Sequence, residues 1–367
     1  ITRVWGATRQ DTSVATSHAT FPTGGSADAV VLADSYHFPD ALSGAPLARF
    51  VNGPLLLTPG AQSTVWPSVV TEIARVLGST SKPVYILGGT GSVSQADQDQ
   101  LGALGYSVHR IGGANRYETS LNIAKFMGQG ASAPGELLLA TGTDFPDGLS
   151  AGAAAASYWT PVQTGGAVLL TNGAAMYPAI KTYVDAALAA QTLGRRVYVT
   201  TVGGLADKAY AGTASNPKIS AVGADRYTTS AYVAEIHFGA QASVAIATGT
   251  SFPDALSGGA YAGAINAPLL LVPSSLVNEA HEFDEVPYFL NIASGAIVDA
   301  YIFGGTGVVN TAQRDQLASI IGLQVQLGEI TPTSVLSARA RGVGSAGTVH
   351  KPAPGAAAGS RAGAGSR

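Results

Sequence analysis

The stretch that decides the fold is Phe145-Pro146-Asp147-Gly148-Leu149-Ser150. It recurs as Phe38-Pro39-Asp40-Ala41-Leu42-Ser43 and as Phe252-Pro253-Asp254-Ala255-Leu256-Ser257, so the pattern F-P-D-[AG]-L-S occurs three times at intervals of 107 residues. Equal spacing of so specific a pattern indicates an internal repeat in which each copy is one supersecondary unit. The chain of 367 residues therefore contains three copies of one unit.

Each copy also shows the same order of local elements, most clearly in the second copy. Strands are predicted at 108–113, 136–141, 167–171 and 197–202, of which 136–141 is the clearest apolar run, and helical patterns occupy 117–127, 147–158 and 178–188. Apolar strands separated by helices favour a parallel sheet that is covered on both faces. The predicted fold class is α/β, with three tandem Rossmann-like or flavodoxin-like parallel-sheet domains of about four strands each.

The predicted domains are 1–109, 110–219 and 220–330, followed by a disordered basic tail at 331–367. The tail is dominated by Gly, Ala, Ser and Pro, which cannot bury enough apolar surface to offset the chain entropy. A short strand precedes the helix at the start of each copy, and it occurs a fourth time at 324–328 without a helix after it. This last strand is expected to complete the third sheet, so boundaries on either side of the strand are compatible with the pattern.

Composition excludes several classes of protein. Hydrophobic residues make up 46% and charged residues 12%, which suits packed cores rather than general disorder. The net charge of −3 provides no basic field for nucleic acid, although the tail carries bases and no acid. The absence of cysteine excludes disulfides and thiolate metal sites, and no apolar run reaches the ~18–20 residues of a membrane helix. The start, Ile1-Thr2-Arg3-Val4, is not a signal peptide, so an exported protein would be present as its mature form or a fragment.

The aspartates of the repeated stretch have two interpretations. Asp40, Asp147 and Asp254 follow a strand and open a helix, where a carboxylate can cap the first-turn amides. This structural interpretation is the favoured one. The functional alternative places the same turn at the carboxyl ends of parallel strands, where α/β sheets bind ligands.

An arginine begins an Arg-x-x-x-Ser block in every copy, at Arg9, Arg116 and Arg226. A cation at a helix N-terminus opposes the helix dipole, so these arginines need a partner. One candidate is the repeated Asp at the next strand end of the same sheet. The other is an anionic ligand, for which Arg offers a planar fork of donors. The internal ion pair is slightly favoured. Both interactions are compatible if a ligand competes with the aspartate for the guanidinium group.

The remaining motifs favour structural roles. The apolar runs that begin at Pro54, Ala167 and Pro268 are most simply buried strands. The turns Gly88-Gly89-Thr90-Gly91 and Gly304-Gly305-Thr306-Gly307 lack a Walker lysine and a G-x-G-x-x-G pattern, so turn glycines explain them better than a phosphate loop. The six histidines share no repeat register or metal spacing, and no catalytic residue, cofactor or metal is predicted.

Together these blocks resemble the type 2 cell wall-binding repeat family of Gram-positive bacteria, over about residues 1–328. The clearest stretch is Arg110-Ile111-Gly112-Gly113-Ala114-Asn115-Arg116-Tyr117-Glu118-Thr119-Ser120. The resemblance implies a compact pseudo-threefold arrangement of the three domains that binds anionic secondary cell-wall polymers noncovalently. It also implies polymer-binding candidates in the repeated arginines and apolar strands, namely Arg9, Arg116, Arg226, Pro54, Leu55, Leu56, Leu57, Ala167, Val168, Leu169, Leu170, Pro268, Leu269, Leu270 and Leu271.

The copies depart from one another within this resemblance. Gln10 stands where the other copies have Tyr117 and Tyr227, and Ala167 replaces the proline of the apolar strand. The second copy also has Gly203-Gly204-Leu205-Ala206 in place of the Gly-Gly-Thr-Gly turn. If each copy contributes a site, the three sites need not be equivalent.

The predicted function is a non-catalytic, extracellular module of the cell wall and cell surface. Its expected partner is an anionic cell-wall glycopolymer, with no nucleic acid and no membrane span, and three linked weak sites would bind more tightly than one. A cell-wall hydrolase that uses the repeated aspartates is one alternative. A structural surface-layer or adhesion protein that also associates with itself is the other. A fused functional module outside this chain is a further expected partner.

Overall fold

A computed structural model describes residues 1–60, 64–157, 159–160, 163–238, 241–273, 290, 296–323 and 328–332. These residues form three parallel sheets flanked by helices, so the predicted α/β fold with three units is confirmed. The predicted disordered tail, apart from its first two residues, and most of the predicted strand at 324–328 lie outside the described residues.

The chain begins with β1 (Thr2–Val4), which belongs to the third sheet, and continues into the first unit. This unit consists of α1 (Arg9–Thr20), β2 (Val30–Asp34), α2 (Gly44–Phe50), β3 (Leu55–Thr58), α3 (Pro67–Leu77), β4 (Pro83–Leu87), α4 (Gln95–Ala103) and β5 (Ser107–Ile111). Its sheet has the order β3-β2-β4-β5. Every residue of β2 is buried, as expected for a central parallel strand between helices.

The second unit repeats this pattern with one addition. It consists of α5 (Arg116–Met127), β6 (Glu136–Thr141), α6 (Pro146–Ser157), β7 (Trp159–Thr160), β8 (Gln163–Thr164), β9 (Gly166–Thr171), α7 (Pro178–Ala189), β10 (Tyr198–Val202), α8 (Gly204–Ala209) and β11 (Ile219–Ala221). Its sheet has the order β9-β6-β10-β11. The predicted helices and strands are confirmed to within two residues. The small antiparallel pair β7–β8 was not predicted, because strands of two residues are too short to show a pattern of alternating apolar and polar residues.

The third sheet contains five strands among the described residues. Its unit consists of α9 (Arg226–Phe238), β12 (Ser243–Thr248), α10 (Pro253–Ala264), β13 (Leu269–Val272), β14 (Asp299–Phe303), α11 (Thr311–Ile321) and β15 (Gly328–Ile330). The order is β13-β12-β14-β1-β15, because the first strand of the chain inserts between β14 and β15. Buried Arg3 holds it there by donating to the carbonyls of Gly304 at 2.7 Å and Val309 at 2.8 Å.

The strand before each Arg block pairs with one unit while the helix after it packs on the next. Strands β5 and β11 pair with the first and second sheets, whereas α5 and α9 lie against β9 and β13. β1 closes the series, since it pairs in the third sheet and α1 lies against β3. The predicted divisions at 109/110 and 219/220 fall within β5 and β11, and these boundaries stay a prediction.

The three units surround a pseudo-threefold axis formed by the inner helices α2, α6 and α10, which pack on one another. Each inner helix also lies against the edge strand of the next unit, so α2 contacts β9, α6 contacts β13 and α10 contacts β3. Such head-to-tail contacts generate a closed ring. Leu42, Leu149 and Leu256 line the axis and leave a void of only about 10 Å³.

Candidate functional site

Three phenylalanines of the repeated stretch meet one another just before the inner helices. The ring centroids of Phe38 and Phe145 are 5.8 Å apart, those of Phe38 and Phe252 5.7 Å, and those of Phe145 and Phe252 5.8 Å. All three pairs are edge-on or tilted, the arrangement that aromatic rings prefer, and all three residues are half-buried. One ring from each unit thus joins the three units. Sequence reasoning gave these rings no role, although their equal spacing was the available signal.

The repeated arginines begin α1, α5 and α9 and reach the carboxyl ends of the strands. Nη1 of Arg116 donates to the carbonyl of Gly142 at 2.6 Å, and Nη1 of Arg226 to that of Gly249 at 2.7 Å. Nη1 of Arg9 donates to the carbonyl of Ser35 at 2.8 Å. Each acceptor follows the central strand of the arginine's own unit, so the same bond fixes all three guanidinium groups.

Each guanidinium also lies over an aromatic ring. Arg116 is 5.7 Å from the centroid of Phe38 and Arg226 is 5.5 Å from that of Phe145, and both rings belong to the preceding unit. Arg9 lies 4.7 Å from the centroid of Tyr36, in its own unit. Such cation–π contacts contribute about 0.5–1 kcal/mol at exposed sites. We call the surface formed by Phe38, Phe145, Phe252, Arg9, Arg116 and Arg226 the axial face.

The predicted ion pair between the repeated Arg and Asp of one sheet is wrong for the described residues. The carboxylates near Arg226 and Arg9 belong to the preceding unit, because neighbouring units meet head to tail. Arg226 faces Asp144 at 3.5 Å, a surface pair of small energetic value, and its charge also acts on Asp147. Arg9 acts in the same way on Asp254.

Burial is the main cause of the pKa shifts of two repeated aspartates, Asp147 and Asp254. It raises the pKa of Asp147 to about 6, with a further rise from Asp144 and an opposing effect of Arg226. It also raises the pKa of Asp254, against a hydrogen bond from Thr12 and the charge of Arg9. Two of the three cations of the axial face, Arg226 and Arg9, are therefore close to carboxyl groups with a raised pKa.

The predicted capping role of these aspartates is also wrong. Asp147 and Asp254 lie inside the first turns of α6 and α10, and Asp40 lies four residues before α2. Each carboxylate instead packs against a glycine that follows the third strand of its unit, where an added Cβ would overlap it; these glycines are Gly88, Gly203 and Gly304. Their φ angles of 87°, 82° and 101° are left-handed, which also favours glycine. The aspartates thus lie at the strand ends, in the region where α/β sheets commonly bind ligands.

The caps come from the residue before each arginine. Thr8 accepts the backbone N–H of Asp11 at 3.1 Å, and Asn115 accepts those of Tyr117 and Glu118. Asp225 accepts the N–H groups of Tyr227 and Thr228 in the same way. Sequence reasoning missed these three caps, although Ala-Thr-Arg, Ala-Asn-Arg and Ala-Asp-Arg carried the signal.

The Thr-Ser pair within each Arg block joins the helix to two strands. Ser120 accepts the N–H of Leu170 at 3.1 Å, and Thr119 accepts that of Gly113 at 3.2 Å. The same two bonds recur in the first unit (Ser13 with Leu57, Thr12 with Gly6) and in the third (Ser230 with Leu271, Thr229 with Gly223). This explains why the Arg block and the apolar strand occur together in every copy.

The apolar candidates lie in the edge strands β3, β9 and β13 or directly before them. All twelve are buried, from Pro54 to Leu57, Ala167 to Leu170 and Pro268 to Leu271, because the inner helix of the neighbouring unit covers each edge. Their side chains therefore have no surface for a polymer. A role for them in polymer binding stays a prediction, and it would act through the position of the strand ends.

The first unit differs from the other two at Gln10, and it also differs at Ser35, the residue that Gln10 contacts. A Cβ on Gly142 would lie 2.9 Å from Cε1 of Tyr117, and a Cβ on Gly249 2.5 Å from Cε1 of Tyr227. The first unit has Ser35 at the place of these glycines, and Nε2 of Gln10 donates to its hydroxyl at 2.8 Å. The first unit thus differs from the other two at both positions of this contact. The three parts of the axial face are therefore chemically different.

The described residues include no group of three or more His, Asp or Glu side chains placed to hold a metal ion. None of the helices in the described part of the chain is long and apolar enough to cross a membrane.

Comparison with known proteins agrees with this architecture. Residues 3–97, 110–207 and 221–313 match the family described as Cell wall binding domain 2 (CWB2). The chain is 28% identical over 318 residues to N-acetylmuramoyl-L-alanine amidase LytC of Bacillus subtilis (strain 168), covering 86% of this chain and 58% of that protein. It is 32% identical over 160 residues to the amidase enhancer of the same organism, covering 44% of this chain and 21% of that protein.

Solved structures show the same fold. Cwp8 from Clostridium difficile superposes with a TM-score of 0.72 at 25% identity, over 88% of this chain and 52% of that chain. The chain thus spans a little over half the length of LytC and Cwp8. The three matched stretches cover most of the chain and confirm the resemblance drawn from the repeated blocks. The chain belongs to the cell wall binding domain 2 family and is a cell-wall-associated protein of the cell surface, built from three tandem repeats.

Proposed function

We propose that this module is non-catalytic and anchors noncovalently to an anionic secondary polymer of the cell wall through the axial face. The observation that carries the proposal is the arrangement of Arg9, Arg116 and Arg226. Each donates one Nη1–H to a carbonyl and lies over an aromatic ring. Among the described residues, the Nη2 and Nε groups of Arg9 and Arg116 have no hydrogen-bond partner.

A fixed guanidinium with spare donors suits an anionic group, because its planar fork binds phosphate or carboxylate oxygens without losing much side-chain freedom. The net charge of −3 provides no long-range attraction for a polyanion, so the contacts are local. Three guanidinium groups on one face allow neighbouring charges of one polymer chain to bind together, and linked weak contacts raise the overall affinity.

The positions of the repeated aspartates support a non-catalytic module. Asp40, Asp147 and Asp254 each pack against a glycine at the strand end, so the contact between the strands accounts for their repetition without a catalytic role. The amidase in the name of LytC belongs to that longer protein, of which this chain matches 58%. This supports a binding role for the shared repeats within larger wall proteins.

Sedimentation with purified cell walls tests the proposal, with the secondary polymer present or chemically removed. We expect the protein to sediment with complete walls and to stay in solution with stripped walls. A variant with Arg9→Gln, Arg116→Gln and Arg226→Gln should bind complete walls at least tenfold more weakly. A matched control with Lys125→Gln, Arg196→Gln and Lys208→Gln loses the same charge from exposed positions outside the axial face and should bind normally.

Equal binding to stripped walls would contradict the polymer as the ligand, and equal loss in both variants would contradict the axial face. Thermal unfolding of each variant shows whether the fold is kept. The hydrolase alternative is tested in the same tubes. Release of soluble wall fragments that stops in an Asp40→Asn, Asp147→Asn, Asp254→Asn variant would overturn the non-catalytic assignment. Sedimentation velocity without walls tests the alternative of self-association.

A further inference from the structure

A pair of stacked tyrosines lies next to Arg116 in the second unit. Tyr117 is the second residue of α5, and Tyr177 directly precedes α7. Their rings are 5.5 Å apart with an interplanar angle of 26°, and both residues are partly exposed. A Cβ on Gly142 would lie 2.9 Å from Cε1 of Tyr117 and 3.2 Å from Cδ of Arg116, so the tyrosine pair borders the axial face at Arg116.

Polar groups fix both rings and surround them. The hydroxyl of Tyr117 donates to Oδ1 of Asn172 at 3.0 Å, and that of Tyr177 donates to Oε1 of Glu118 at 2.7 Å. Asn115 approaches the hydroxyl of Tyr177 through Nδ2 at 3.5 Å. Asn115 and Asn172 are exposed, and Glu118 is partly exposed. The rings are therefore held in place before any ligand arrives, beside exposed amides and a carboxylate.

This combination fits a sugar ring. The faces of aromatic rings pack against the C–H groups of a sugar, and amide and carboxylate groups bind its hydroxyls, as in binding sites that are mainly apolar with a few placed polar groups. A hydrogen bond from Tyr177 lowers the pKa of Glu118, so its carboxylate is charged at neutral pH and disfavours an anionic group at this position. An uncharged sugar suits the tyrosines, and an anionic group suits the neighbouring Arg116.

We propose that Tyr117, Tyr177 and Asn172 form a subsite for an uncharged sugar residue of the wall polymer, adjacent to an anionic group bound by Arg116. The proposal rests on the proposed function and adds the chemistry of one subsite. The first unit lacks this subsite, since buried Gln10 stands in place of Tyr117. The second unit therefore makes contacts with the polymer that the first unit does not.

Two binding measurements with the whole chain test the subsite. In wall sedimentation, Tyr177→Ala and Asn172→Ala should each weaken binding about fivefold or more, whereas Tyr177→Phe keeps the ring and should weaken it less than Tyr177→Ala. Tyr198→Ala removes a tyrosine that is 43% exposed elsewhere in the second unit and should bind like the unaltered protein. Thermal unfolding controls for loss of fold in Tyr177→Ala.

Saturation-transfer NMR with methyl glycosides of neutral hexoses and N-acetylhexosamines provides the second measurement. At least one glycoside should receive saturation from the unaltered protein and lose it with Tyr177→Ala. If the unaltered protein binds walls through the polymer but Tyr177→Ala and Asn172→Ala bind equally well, the subsite is wrong and the proposed function stands. If wall binding does not depend on the polymer, the proposed function fails. The subsite is then judged by the glycosides, and transfer to none of them overturns it.

Discussion

The carboxylate of Asp147 lies directly against the Cα of Gly203, in the place that a side chain on Gly203 would occupy. The same relationship holds for Asp40 with Gly88 and for Asp254 with Gly304. Two motifs that are about 50 residues apart in each copy are therefore two halves of one contact between the central strand and its neighbour. Any residue larger than glycine at these positions must displace the aspartate.

Gly203→Ala should therefore destabilise the protein by about 2–4 kcal/mol, because it adds an overlap to an unfavourable left-handed φ. Urea unfolding measures this change. Gly194→Ala is the matched control, because a Cβ there meets nothing within 4 Å and its φ is not left-handed. An effect of Gly203→Ala no larger than that of Gly194→Ala would contradict the packing of Asp147.

Residues 117 and 142 should be coupled in the second unit. Gly142→Ser should destabilise the protein because the new side chain meets the ring of Tyr117. Adding Tyr117→Gln, as in the Gln10–Ser35 pair of the first unit, should restore part of the loss. A double-mutant cycle should give a coupling energy of about 1–3 kcal/mol. Additive effects of the two substitutions would show that the difference between the units has another cause.

The hydroxyl of Ser120 should contribute more than an ordinary surface serine. Ser120→Ala leaves the buried N–H of Leu170 without its acceptor, which costs about 1–3 kcal/mol. Ser157→Ala is a suitable control, since its hydroxyl only donates to the carbonyl of Ala153 within the same helix. Chemical denaturation compares the two variants, and similar small losses would argue against the link between α5 and β9.

The contact between the second and third units should give opposing pH effects. Glu136 of β6 accepts a hydrogen bond from Thr200 at 2.6 Å and lies 3.5 Å from His237 of α9. Burial raises the pKa of Glu136 from 4.5 to about 7 and lowers the pKa of His237 from 6.5 to about 4. The contribution of Glu136 to the stability of the fold is thus greatest below pH 4.5 and is lost as the pH rises to 7. That of His237 is greatest above pH 6.5 and is lost as the pH falls to 4.

Replacing either Glu136 or His237 should leave the pH dependence of stability that the other residue causes. In Glu136→Gln, stability should rise with pH between 4 and 6.5 more steeply than in the unaltered protein, by up to about 1.4 kcal/mol per pH unit. In His237→Gln, stability should fall as the pH rises from 4.5 to 7. Melting temperatures across pH 4–8 measure both slopes, with exposed Glu235→Gln as control. Parallel pH profiles for both variants would contradict the opposing shifts.

Local structure was readable from the sequence because the repeats supplied three versions of every element. The apolar residues Leu121, Ile123, Ala124 and Met127 lie on one face and predicted the helix that the structure gives as α5. The continuous apolar run of β6 predicted a strand buried between helices, and all six of its residues are buried. These signals depend only on neighbours in the chain.

The candidate site was less predictable because its contacts cross between units. The arginines were expected to pair with aspartates of their own sheet, whereas Arg116 lies over Phe38 of the preceding unit. The position of Asp147 against Gly203 likewise required the strand order, which a sequence pattern does not specify. Thr8, Asn115 and Asp225 are residue types that cap helices, so these caps could have been predicted. The capping role was assigned to the aspartates instead, because the repeated F-P-D pattern is more prominent.

The insertion of β1 into the third sheet has a consequence for folding. Thr2–Val4 pairs with Tyr301–Phe303 and Gly328–Ile330, and this is the largest sequence separation of any strand pairing among the described residues. Contacts of high sequence separation form slowly, because a long chain must be closed before they gain any stability. The first and second sheets can form from shorter stretches of chain. Removing the first four residues would therefore open the sheet that is farthest from them in sequence.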